Sequence, residues 1–80
     1  MPTVLRFNGF RFFFFSDEGN EPMHIHVAKG DGEAKIWMEP EIKAVYFNAF
    51  KVSEQKEIIG IVNKNQSLIK NKWHEYFQSK

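Results

Sequence analysis

The chain contains no cysteine. That one absence excludes a disulfide scaffold, a thiolate zinc site and a cysteine nucleophile. An excess of one charge sign is also missing. Eleven basic residues against ten acidic ones leave a formal charge of +1. Nucleic-acid binding driven by bulk charge is therefore not expected, although a local basic patch remains open. Long hydrophobic runs are absent too. The longest strongly apolar stretch, Phe12 to Phe15, falls far short of the ~20 residues that cross a bilayer. The opening residues lack the basic start and apolar core of a signal peptide. No repeat, low-complexity tract or linker interrupts the chain, and no Gly-rich phosphate cradle or Ser-His-Asp arrangement is suggested. The expectation is one soluble cytoplasmic domain over residues 1–80, with no membrane partner and no cofactor.

Aromatic residues are plentiful. Nine Phe, two Trp and two Tyr offset the thin burial of so short a chain, since each large ring removes about 150–250 Å² from water. Val4 to Phe7 and Phe10 to Phe15 are strand-like and are joined by Asn8-Gly9. Asn-Gly supplies the positive φ values of a two-residue type I′ hairpin turn. That register sets Phe7 opposite Phe10, Arg6 opposite Arg11, Leu5 opposite Phe12 and Val4 opposite Phe13. Ser16 to Asn20 reads as a polar loop. His24 to Lys29 and Glu33 to Met38 form a second hairpin around Gly30-Asp31-Gly32. A turn at Asp31-Gly32 sets His26 opposite Trp37 and His24 opposite Glu39. Ile42 to Phe47 reads as a short fifth strand.

Ser53 is a candidate N-cap, with Glu54 and Glu57 in the first turn. Ile58, Ile61, Val62, Leu68, Ile69, Trp73, Tyr76 and Phe77 then share one side of a helical wheel. The phase favours a single helix, whereas its length, roughly 40 Å, exceeds a globule roughly 30 Å across. Either it bends near Asn63 to Asn65 or its end overhangs. Asn65 and Lys72 interrupt the stripe. The fold expected is α+β: an antiparallel sheet of four to five strands, two hairpins plus a short strand, packed on one long C-terminal helix.

Alternation along Glu21-Pro22-Met23-His24-Ile25-His26-Val27 sends both imidazoles to one face and Ile25 and Val27 to the other. The candidate binding face comprises Arg6, Arg11, His24, His26, Lys35, Trp37 and Glu39. Directly opposed Arg6 and Arg11 repel, so an anion is expected between them: Glu33, Glu39, a partner's carboxylate or a phosphate. Three chemistries fit this face. Arg and aromatic side chains suit a protein interface. The two histidines could act as acid and base in RNA cleavage, with Arg6, Arg11 or Lys35 on the phosphate and Trp37 stacking a base. His24, His26 and Glu39, or Glu21, could hold a metal ion but fall short of a full ligand set, because His74 points elsewhere.

The Phe-rich strand, the His-x-His string, Gly32-Glu33-Ala34-Lys35-Ile36-Trp37-Met38-Glu39-Pro40 and Trp73-His74-Glu75-Tyr76-Phe77 follow the opening Met1-Pro2-Thr3-Val4-Leu5-Arg6. In this order they resemble domain-of-unknown-function family 4160, whose signature is Glu-Pro-Pro-His-x-His-Val. Met23 stands where that signature has its second proline. The resemblance marks Glu21, Pro22, His24, His26, Glu33, Ala34, Lys35, Trp37, Trp73 and Phe77. It implies a small cytoplasmic protein with no accepted catalytic residue. Such proteins are often encoded beside a second small protein, in pairs similar to toxin–antitoxin systems. The reading is thus an interaction module with a partner encoded nearby or a second copy of itself. No reaction is assigned. Nucleic-acid binding or RNA cleavage is the alternative, and a histidine metal site the second alternative.

Overall fold

The Asn8-Gly9 turn forms as the sequence requires, with φ values of 52° and 83°, and it starts the sheet. A computed structural model describes residues 3–15 and 20–78. Of the polar loop expected over Ser16 to Asn20, all but Asn20 lies outside the described residues, as do Met1, Pro2 and Lys80. The strands are β1 (Thr3–Phe7), β2 (Phe10–Phe13), β3 (His24–Lys29), β4 (Gly32–Trp37) and β5 (Lys43–Asn48). They pair antiparallel in the order β1-β2-β3-β4-β5. Helices α1 (Val52–Lys64) and α2 (Gln66–Gln78) follow.

In the first hairpin Phe7, Arg6 and Leu5 meet the expected partners. Val4 does not: it is bulged out, and Thr3 takes the place opposite Phe13. In the second hairpin the turn is Gly30-Asp31, since Lys29 pairs with Gly32. Gly30 has φ 57° and Asp31 has no positive φ, the pattern of a II′ turn with glycine first. This moves the register by two residues from the one expected. His24 lies opposite Trp37 and His26 opposite Lys35. A shift of two preserves the faces, so Ile25, Val27, Ala34 and Ile36 still point into the core.

That core lies between the sheet and the helices. Phe10, Phe12, Phe14, Ile25, Val27, Ala34 and Ile36 pack with Ile58, Ile61, Val62, Ile69 and Trp73. Ala49, between β5 and α1, holds φ 58°, where an L-residue costs roughly 1–2 kcal/mol and glycine does not. Ala49→Gly is expected to raise stability by about 0.5–1 kcal/mol, read as a higher thermal midpoint. An unchanged or lower midpoint would show that the bend carries no strain.

α1 begins earlier than the Ser53 cap predicts. Lys51 is the N-cap, and its N–H donates to Glu54 Oε1 at 3.0 Å. The single long helix is also corrected: there are two, of 13 residues each. Asn65 (φ −116°, ψ 24°) separates them. Its N–H is shared between the carbonyls of Ile61 and Val62 at 3.1 and 3.2 Å, and its Nδ2 also donates to Ile61 O at 2.8 Å. Two donors of one residue crowd the last turn, as asparagine side chains commonly do. The ladder resumes when Ile69 N–H donates to Asn65 O at 3.0 Å. Because the stripe is broken there, Leu68 does not join the core and is 37% exposed.

Candidate functional site

The face of the sheet away from the helices is built from three cross-strand rows. The first runs Arg6, Arg11, Ala28, Glu33, Asn48. The second runs Thr3, Phe13, His26, Lys35, Tyr46, and the third His24, Trp37, Lys43. Arg6, Arg11, His24, His26, Lys35 and Trp37 thus share one face. Glu39 lies beyond the end of β4 and is exposed. It is not opposite His24, because the tighter turn gave that position to Trp37.

The imidazoles are on the predicted face, but other rings cover them. His24 is 0% exposed and His26 6%. The His26 ring stacks on Phe13 with centroids 5.7 Å apart, and Phe15 meets it edge-on at 4.4 Å. His24 is packed edge-on by His26 at 5.1 Å, Trp37 at 5.6 Å and Trp73 of α2 at 5.3 Å. Trp73 also meets Phe14, a core residue, at 5.2 Å. It therefore closes the end of the sheet where β3 begins. His24 Nδ1 lies 2.8 Å from Pro22 O. A carbonyl only accepts, so Nδ1 carries the proton in that bond.

The cations find different partners. Lys35 Nζ donates to Glu21 Oε1 at 2.9 Å and lies 4.7 Å from the Trp37 ring centre. Glu21 is therefore occupied by a lysine, and Lys35 is largely neutralised in place. Arg6 and Arg11 are directly opposed, as the hairpin register demands. The carboxylate expected between them is not found: among the described residues neither guanidinium forms an ion pair. Glu33 stands in the same row but two strands from Arg11, roughly 10 Å at about 4.8 Å per strand. Arg11 instead lays its guanidinium over Phe13, 4.5 Å from the ring centre, and donates Nε–H to Thr3 Oγ1 at 2.9 Å. A ring quadrupole and a hydroxyl ease that charge without cancelling it.

The exposed part of the face comprises Thr3, Arg6, Glu33, Lys43, Tyr46 and Asn48, with Arg11, Ala28, Lys35 and Trp37 half-buried. Tyr46 and Lys43 belong to it through β5, and sequence reasoning did not include them. Their pairing with Lys35 and Trp37 depends on a bulge in β5, which composition does not signal. Among the described residues, no three His, Asp or Glu side chains are grouped closely enough to hold a metal ion. No helix among them is long and apolar enough to cross a membrane.

In comparisons with known proteins, the family described as "Domain of unknown function (DUF4160)" matches residues 9–74. No curated protein matches the chain, and no solved structure does.

Proposed function

The chain belongs to the DUF4160 family of domains of unknown function, and on that premise we propose that it is a small cytoplasmic protein-binding module. It acts as one half of a two-gene, toxin–antitoxin-like pair and holds an acidic segment of its partner against the helix-free sheet face. The observation that carries this reading is the Arg6–Arg11 pair, directly opposed in the hairpin register with no ion pair among the described residues. Like charges in that position repel. A partner's carboxylate placed between them removes the repulsion and gains charge-assisted hydrogen bonds. Trp37 and Tyr46 add the flat amphipathic rings on which interface energy concentrates. The buried histidines then serve as the packed floor beneath the face.

The test is titration of the purified chain with the product of the adjacent gene, by calorimetry. Arg6→Glu with Arg11→Glu is expected to weaken binding by about 100-fold or more, the scale of two lost hot-spot contacts, with circular dichroism unchanged. Equal binding by the double variant overturns the reading. Binding of single-stranded RNA in place of protein, with a steep salt dependence removed by the same substitutions, would replace it with the nucleic-acid alternative. Catalysis by His24 and His26 gains no support from this geometry, since the two rings offer a substrate almost no surface.

A further inference from the structure

A second surface lies on the other side of the molecule. Phe7 alternates onto the core face of the sheet, yet it is 52% exposed. α1 is about 10 Å wide with its side chains and leaves the β1 corner uncovered. A groove of about 530 Å³ runs there, lined by Leu5, Phe7, Asn8, Glu57, Gly60, Ile61, Lys64 and Asn65. Gly60 is the unexplained residue in it. Glycine inside a helix weakens it relative to alanine. Here no internal contact requires glycine, because a Cβ at Gly60 would meet nothing within 4 Å and its φ is not positive. The space it leaves opens into the groove.

Glu57, Gly60 and Lys64 fall on one stripe of α1, three and four residues apart. The midpoint between Glu57 and Lys64 falls between Gly60 and Ile61. The geometry points to a second copy of this chain as the occupant, with its α1 antiparallel to the first across a two-fold axis at Gly60–Ile61. Glu57 of each copy then faces Lys64 of the other, so the surface is self-complementary, as a two-fold interface requires. Lys64 forms no ion pair among the described residues. Glu57 accepts Asn8 Nδ2–H on Oε2 at 2.7 Å, which fixes the carboxylate at the groove and leaves Oε1 for the second copy. Glycine at the crossing lets the helix axes approach closely. Leu5 and Phe7 supply the apolar floor, so each copy covers the β1 corner that the other leaves bare. This interface does not depend on the sheet face discussed above.

Sedimentation equilibrium of the full chain over a range of about 1–500 μM is the test. The wild type is expected to show a monomer–dimer equilibrium. Lys64→Glu, which turns both attractive pairs repulsive, is expected to weaken it by about 10-fold. Glu57→Lys combined with Lys64→Glu restores it to within about 3-fold, an outcome that a merely structural role for either residue would not give. Gly60→Arg fills the groove and abolishes the dimer with helix content retained. A chain that stays monomeric throughout overturns the inference. So does a dimer indifferent to Gly60→Arg and Lys64→Glu, and so does a groove that is filled only when a different protein is added.

Discussion

Trp73→Ala is expected to remove most of the folding free energy of this chain. Trp73 is 7% exposed and touches three rings: Phe14 after β2 at 5.2 Å, His24 of β3 at 5.3 Å and Phe77 of its own helix at 4.2 Å. Truncating a buried tryptophan costs about 3–5 kcal/mol through lost transfer energy and the cavity left behind. A core of this size supplies a net margin of about the same amount. Urea unfolding should therefore show a large unfolded fraction in buffer alone. Trp73→Phe, which keeps an apolar ring against Phe14 and Phe77, is expected to lose less than half as much. Leu68→Ala on the same helix is the control, with an expected loss under about 1 kcal/mol because Leu68 is 37% exposed. A Trp73→Ala midpoint within error of wild type would mean that α2 does not close the end of the sheet. The burial of His24 described above would then be wrong as well.

The same tryptophan shows where the sequence stops being informative. Local rules carried the first hairpin from the turn as far as the Leu5–Phe12 pair, because Asn-Gly fixes turn type and the register beside it, but not the bulge that puts Thr3 rather than Val4 opposite Phe13. They carried the faces of β3 and β4 too, since the strand period survives a two-residue slip. The slip itself was invisible: Gly30-Asp31 and Asp31-Gly32 are equally acceptable two-residue turns, and only packing chooses between them. That choice removed Glu39 from the histidines and put Trp37 there. The helix break was half legible. Asn65 in an apolar stripe marks a weak point, but whether it bends the helix depends on Ile61 O accepting both of its donors. The cover over His24 and His26 was not legible, because it brings rings from other elements, Phe13 and Phe15 onto His26 and Trp73 onto His24, and periodicity reports only the face of an element. Alternation predicts which way an imidazole points and not what lies on top of it. For that reason the accessible face is its cations, Glu33, the neutral Thr3 and Asn48 and two outer rings, with the histidines beneath.

Gly32→Ala is the second large expected effect, and it separates steric need from backbone need. A Cβ built on Gly32 would lie 2.6 Å from Phe50 Cε1 and 2.9 Å from both Cδ1 and Cζ. Such distances are well inside van der Waals contact, so the ring or the strand must move. The ring has little freedom. Phe10 holds it at 6.0 Å and Phe47 at 6.4 Å, and Gln55 Nε2 donates to Phe50 O at 3.1 Å and fixes the backbone that carries it. Overpacking of this kind costs about 1–3 kcal/mol. Gly30, one turn position away, has φ 57° and open space around its missing Cβ. Gly30→Ala should therefore cost only the roughly 1–2 kcal/mol of a left-handed L-residue. Phe50→Ala distinguishes the two. It should remove most of the Gly32→Ala penalty, giving a coupling of about 1–2 kcal/mol in a double-mutant cycle, and should leave the Gly30→Ala penalty unchanged. Chemical denaturation of the six proteins, wild type included, measures both quantities. Additive Gly32→Ala and Phe50→Ala effects would show that the ring does not rest on the β4 backbone. The connection from β5 into α1 would then be held by something other than this contact.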